Sequence, residues 1–391
     1  MHGTHRYLLQ ERVVYGEPAA EAVVAEVAAL GVERVYVTTT RSLAGEGGLA
    51  TAIAAALGPR CAGMFAGVSA HSPRECVLEG ATRARAAAAQ LLVAVGGGSV
   101  IDATKAMLLC LWHGLTSEEQ LDPYRLAAAK PGSIDPSRRP AGQENAIRMV
   151  AVPTTFSAAE FTAGAGITDS RQRVKEAYAH PLLVPQTVVL DPAATLPTPI
   201  EQLLSTGVKA LDHAVERLCA LASNPYSDAT ASQAVQLLTH ALPAIKAQPG
   251  NLEARLDGQF GMWLSIIGGA RGIGVGASHA IGHTLGGSYR IPHGITSCVT
   301  LPAVLRWNVE TNAPQQRRVA SLMGRAEDEA AAAVFDLVAG LGLPTRLRDV
   351  GIRRADFAAI AEHTMSDRAT AGNPRKISGP GDIVEILDLA W

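Results

Sequence analysis

Short aliphatic runs alternate with alanine-rich stretches of helical period through the first half of the chain. Val35-Tyr36-Val37, Met64-Phe65-Ala66, 91–95, 149–152 and 187–190 are compact and rich in β-branched or aliphatic residues, as strands buried on both faces are. Between them, 48–57, 74–90 and 102–111 follow a helical repeat. Strand then helix, repeated, predicts a parallel sheet covered by helices. After Asp191-Pro192 the pattern changes, and 208–222, 226–245, 252–268, 277–285, 315–323, 327–340 and 355–364 carry helical period with almost no strand-like run. The chain therefore reads as an α/β domain over 1–192 followed by an all-α domain over 193–391, with the Pro-, Gly- and Ser-rich stretch 131–143 as a surface loop.

The sharpest local signal is Val93-Ala94-Val95-Gly96-Gly97-Gly98-Ser99-Val100-Ile101-Asp102-Ala103-Thr104-Lys105, a buried strand running into three glycines, a hydroxyl and a helix. Glycines let backbone amides approach a phosphate closely, and a helix N-terminus adds about half a positive charge. Ser99 is placed as a phosphate donor or N-cap, with Asp102 in the first turn. The spacing is neither GxGxxG nor GxxxxGK[ST], so these residues specify a phosphate-bearing ligand and leave its type open. Thr154-Thr155-Phe156-Ser157 is a hydroxyl-rich turn directly after another strand, and Leu190-Asp191-Pro192 ends a third. Ligands of open parallel sheets sit outside such carboxyl ends.

His279 and His283 stand four apart on one helical face, and Pro292-His293-Gly294 supplies a third imidazole after a short loop. Upstream, Lys209 and His213 are again four apart. HxxxH followed by a PHG turn is a candidate for metal binding or proton transfer. The ammonium of Lys209 complicates a metal, because it repels a divalent cation beside the same imidazoles.

Composition narrows the partners. In 391 residues, 34 Lys plus Arg nearly balance 36 Asp plus Glu, so no global field draws the chain to nucleic acid or an anionic membrane. No segment approaches ~18 uninterrupted apolar residues, and the N-terminus lacks the apolar core of a secretory signal. Five scattered cysteines, never in a CxxC, suit a reducing compartment. The expectation is a cytoplasmic protein with a small-molecule substrate.

Taken in order, GGGSVIDATK, VPTTFSAAEFT, ITD, VVLDP, KALDHAVE, HAIGHTLGG and IPHGITSCVTLP resemble the iron-containing (group III) alcohol dehydrogenase superfamily over nearly the whole chain. The resemblance implies a Rossmann-like domain that binds NAD(H) or NADP(H), a helical domain, the broad architecture shared with dehydroquinate synthase, and catalysis in the cleft between the domains. It assigns Gly96, Gly97, Gly98 and Ser99, with Asp102 following, to the pyrophosphate loop, and Thr154, Thr155 and Ser157 to the loop lining the cofactor. His213, His279 and His293 match three of four metal ligands, and His283 the histidine near nicotinamide and substrate. Thr39, Thr40 and Arg41 stand where an acidic residue often binds the adenosine ribose. Its loss removes repulsion against a 2′-phosphate, and Arg41 is placed to pair with one. Dimers are common among such relatives, so a homodimer is expected.

The fourth ligand of the family is an Asp, and here that position is Lys209. The maleylacetate reductase branch also lacks it and works without metal, and this chain resembles that branch at HTLGG, at Phe65-Ala66-Gly67 with His71-Ser72-Pro73, and at His213-Ala214-Val215-Glu216. The expected function is therefore a metal-independent, NAD(P)H-dependent reductase of an oxo-acid, with Lys209, His213, His279, His283 and His293 as a cationic catalytic cluster, to which Arg271 and Arg375 add charge. The alternatives are a dehydrogenase using Fe2+ or Zn2+ through an altered ligand set, and a nucleotide-binding protein with a decayed site.

Overall fold

The computed structural model describes residues 5, 7–126, 146–171, 174–269, 273–326 and 330–391. The chain divides into two compact units, Tyr7–Pro197 and one formed mainly by Thr198–Trp391. Arg271 and the expected loop 131–143 lie outside the described residues.

The first unit runs β1 (Arg12–Tyr15), α1 (Ala19–Ala29), β2 (Val35–Thr38), α2 (Leu49–Leu57), β3 (Cys61–Phe65), α3 (Arg74–Ala86), β4 (Leu91–Gly96), α4 (Gly98–His113), β5 (Arg148–Pro153), β6 (Gly164–Asp169), β7 (Val174–Ala179) and β8 (Thr187–Leu190). Six strands form one parallel sheet in the order β1-β8-β5-β4-β2-β3. Along β4 the period of two is direct: Leu91, Val93 and Val95 pack with Val35, Val37, Val150 and Val152 against Val23 and Val27 of α1 and Ile53 of α2. Leu92 and Ala94 are as deeply buried on the opposite face. β2, β4 and β5 are neighbours, so the segments that follow them emerge side by side at the carboxyl edge.

Two features depart from the sequence pattern. β1 and the antiparallel pair β6–β7 were not expected as strands. β6 is Gly-rich and β7 alternates exposed Lys175 with buried Glu176 and Tyr178, so neither shows the aliphatic run that marks the central strands. What holds the hairpin is Arg74. Its wholly buried guanidinium donates to Glu118 O at 2.9 Å, Asp122 Oδ1 at 2.7 Å, Glu176 Oε2 at 3.0 Å and Tyr178 OH at 3.0 Å.

The second unit runs α5 (Ile200–Cys219), α6 (Pro225–Ala247), α7 (Leu252–Ile267), α8 (Ala277–Tyr289), α9 (His293–Leu322), α10 (Ala330–Gly340), α11 (Phe357–Thr364) and α12 (Pro380–Ala390). α5 packs against α6, α7 and α9 and is buried on nearly every side from Leu203 onward, the signature of a central helix. Asn224 caps α6 in a reciprocal box with Ser227. The sequence pattern located only 315–323 of α9. The helix in fact starts at His293, which is its first residue rather than a loop position, and runs through Pro302 to a non-helical Asn312 before Pro314. Proline reads as a breaker, yet packing on α5 and α8 retains the helix across it. Among the described residues no helix is long and apolar enough to cross a membrane.

Replacing Arg74 with Leu strips the buried Asp169 and Glu176 of their shared cation. The expected loss is about 3–5 kcal/mol, read as a lower urea midpoint.

Candidate active site

Gly97 is the N-cap of α4, so Ser99 lies within its first turn. Gly96 has φ +156°, and a Cβ there would meet Val100 Cγ2 at 2.5 Å. At Gly97 a Cβ would meet Thr155 Cγ2 at 2.9 Å, and at Gly98 it would meet Ser157 Oγ at 3.0 Å. The glycine turn after β4 and the hydroxyl turn after β5 are thus in contact, and Thr154 N donates to Gly96 O at 3.2 Å. Thr155 Oγ1 and Ser157 Oγ are buried with no hydrogen-bond partner among the described residues. Unpaired buried hydroxyls against a glycine turn and a helix N-terminus are a fit for phosphate oxygens.

The neighbouring residues divide by role. Asp102 does not reach toward the turn: its Oδ2 accepts from Gly166 N at 3.1 Å. Thr39 is fully buried and donates to Val95 O at 2.8 Å, which braces the carboxyl ends of β2 and β4. Thr40 pairs with Ser42 at 3.0 Å, and Arg41 is exposed.

In the helical unit, Lys209, Asp212, His213 and Glu216 form one stripe of α5, and all four are buried. Glu216 joins this stripe to the start of α8. Its Oε2 accepts from Gly276 N and its Oε1 from Ser278 N, both at 2.8 Å, and Oε2 hydrogen-bonds His279 Nδ1 at 2.7 Å. Ser278 Oγ donates to Asp212 Oδ2 at 2.8 Å. The rings of His213 and His279 stack at 4.6 Å, and those of His283 and His293 at 5.3 Å. His279 Nε2 and His213 Nδ1 are buried without a hydrogen-bond partner among the described residues. His283 is exposed, and its Nδ1 hydrogen-bonds Asp367 Oδ2 at 2.7 Å.

The structure thus gathers the histidines in two stacked pairs, with Lys209 one turn from His213. Arg375 is engaged elsewhere: it donates to Trp307 O at 3.0 Å and stacks on the Trp307 ring. Glu216 and Asp367 had no assigned role in the sequence reading. Glu216 was accessible as the residue seven after Lys209 on the same face, whereas Asp367 has no local signal.

Burial, with Lys209 next, holds His213 and His279 well below the usual 6.5, so both are neutral at physiological pH. Burial and the adjacent Asp212 push the Glu216 carboxyl up to about 8, against the two backbone N–H groups. Burial likewise takes Asp212 up to about 6, opposed first by Lys209.

Among the described residues, the ligand atoms that come within 4.8 Å of one another belong to Asp212, Glu216 and His279, not to His213, His279 and His293. Both Glu216 oxygens and Asp212 Oδ2 already accept hydrogen bonds, and Lys209 acts on the same groups with its charge. That donor set does not fit a divalent metal.

A glycine turn with unpaired hydroxyls suited to phosphate oxygens, on a chain that also buries imidazoles beside an ammonium, is consistent with the equipment of a dinucleotide-dependent oxidoreductase. Residues 10–192 match the iron-containing alcohol dehydrogenases and residues 203–391 the C-terminal domain of that family. A maleylacetate reductase of Burkholderia cepacia is 30% identical over 96% of this chain and 94% of its own length. A lactaldehyde reductase of Escherichia coli (strain K12) is 30% identical over 99% and 100%. The crystal structure of a maleylacetate reductase from Rhizobium sp. strain MTP-10005 superposes with a TM-score of 0.81 at 28% identity, covering 100% of this chain and 99% of that one. A 1,3-propanediol oxidoreductase structure gives 0.87 at 28%, covering both chains fully. The chain belongs to the iron-containing alcohol dehydrogenase family and is an NAD(P)-dependent oxidoreductase.

Gly96→Ala forces a side chain into Val100 at a positive φ. It should destabilise the protein by at least about 1 kcal/mol and weaken NADPH and NADH binding, as measured by thermal unfolding and fluorescence titration.

The Glu216 carboxyl, raised from 4.5 to about 8, stabilises the fold fully below pH 4.5, and that contribution fades as pH rises through 8. The thermal-stability advantage of the wild type over Glu216→Gln should therefore shrink across this window and level off above it.

Proposed function

We propose that this enzyme reduces the carbonyl of an oxo-acid, of the maleylacetate kind, without a catalytic metal. One observation carries the reading: Lys209, only 7% exposed, stands where the resemblance places a metal-ligating Asp, and its charge acts on His213, His279, Asp212 and Glu216. Identity of 30% to a maleylacetate reductase supports the same substrate class.

The bound dinucleotide supplies the hydride. The chain itself must stabilise negative charge growing on the carbonyl oxygen and deliver a proton to it. Lys209 provides the fixed positive charge that a Lewis-acid metal provides elsewhere. With its carboxyl raised to about 8, Glu216 is protonated at neutral pH and donates to His279 Nδ1, which leaves the Nε2–H of the neutral ring to donate to the oxygen, and Lys209 or a histidine gives the proton. A substrate carboxylate gains charge-assisted hydrogen bonds from the same ammonium. In the α/β unit, a threonine turn without a carboxylate and an exposed Arg41 suit NADPH at least as well as NADH.

A metal-dependent dehydrogenase is the second reading, favoured by the match of both halves of the chain to the iron-containing alcohol dehydrogenases and by His213 Nδ1 and His279 Nε2, unpaired among the described residues. Enzyme stripped with a strong chelator, with residual metal quantified, separates the two. On the oxo-acid reading, maleylacetate reduction with NADPH or NADH survives stripping, and Lys209→Met lowers kcat/KM by about 10²- to 10³-fold. Activity on a simple aldehyde that returns only with added iron or zinc would sink it.

A further inference from the structure

Lys105 has no part in the chemistry above, yet it is wholly buried in the second turn of α4. Its Nζ donates to the carbonyls of Ala159 at 2.6 Å, Thr162 at 2.9 Å and Gly164 at 2.8 Å, and lies 3.1 Å from Thr162 Oγ1. The three protons of an ammonium thus meet three backbone carbonyls of one stretch. On the same helix, Asp102 accepts from Gly166 N. Two side chains of α4 therefore bind the segment 159–166 at four backbone positions.

What these bonds join is specific. α4 carries one wall of the phosphate cradle, Gly98 and Ser99 at its N-terminus. The turn leading into 159–166 carries the other, Thr155 and Ser157 with their unpaired hydroxyls. Between them Ala158 is held left-handed at φ +62° without being glycine, a conformation that costs about 1–2 kcal/mol and persists only where its surroundings impose it. An apolar side chain at 105 would release three inward-facing carbonyls, and a neutral donor would satisfy some of them.

We infer that Lys105, assisted by Asp102, is a positioning residue for dinucleotide binding, which locks the Thr155–Ser157 wall against the glycine turn before the ligand arrives. It acts through those hydroxyls and does not touch the ligand. Preorganisation of this kind lowers the ordering cost of binding.

The test is direct titration of the full-length enzyme, its Lys105→Met variant and its Lys105→Gln variant with NADPH and NADH, followed by ligand fluorescence, with the melting temperature of each unliganded protein measured alongside. Lys105→Met should raise Kd about tenfold or more, and the Gln amide, with two N–H donors, should recover part of it. In turnover, the rise in dinucleotide KM should exceed any fall in kcat. A lowered melting temperature with wild-type Kd in either variant overturns the inference and leaves Lys105 a structural residue. Hydrogen exchange on the wild type decides the case if neither variant folds. Protection of the Gly166 amide without dinucleotide supports a preformed wall, and protection that arises only on adding NADPH overturns it. The titration and the hydrogen exchange use no carbonyl substrate, so failure there is distinct from failure of the oxo-acid reading.

Discussion

One carboxyl organises the helical unit. Glu216 projects from the most buried helix of its unit and takes up two backbone N–H groups at the start of α8 together with the Nδ1 of His279. Those N–H groups belong to the first turn of a helix, where no intrahelical acceptor exists. A buried acceptor supplied by α5 therefore caps α8, sets its approach and fixes an imidazole in a single act. The placement of Ser278 on Asp212, and of the His213 ring on His279, follows from that junction.

Such a cluster is expensive to hold. A central helix would gain most from an apolar stripe, and α5 instead buries Lys209, Asp212, His213, Glu216 and Arg217. Burial drives the carboxyls up and the imidazoles down, so the groups are kept near neutrality instead of fully ionised. Arg217 is taken down to about 10 by the same burial. Polar groups gathered at this cost are characteristic of sites where chemistry, rather than stability, sets the residue types. The α/β unit shows the same economy in its backbone: glycine at a positive φ in Gly96, and left-handed Ala158, His71 and Ser72 around the cradle.

Much of the architecture is legible in the sequence. The aliphatic runs of β2, β4, β5 and β8 announce strands because a parallel sheet is buried on both faces and tolerates nothing else. The hairpin β6–β7 was missed because its stability comes from Arg74, Asp122 and Glu176, which lie far apart in the chain. Most of α9 was missed because Pro302 and Pro314 read as stops, although packing retains a helix around them. The glycine turn is legible as a motif, but the hydrogen bond of Asp102 to Gly166 N is not, since the two are 64 residues apart.

The sequence by itself determined where backbone freedom was indispensable and which side chains share a helical face: the glycines after β4, His279 with His283, Lys209 with His213. These are local properties, set by the absence of a Cβ or by the 3.6-residue turn. Tertiary structure decided which groups meet. His279 is held by a carboxyl 63 residues upstream and His283 by one 84 residues downstream. Such contacts follow from the packing of whole helices, so no periodicity records them.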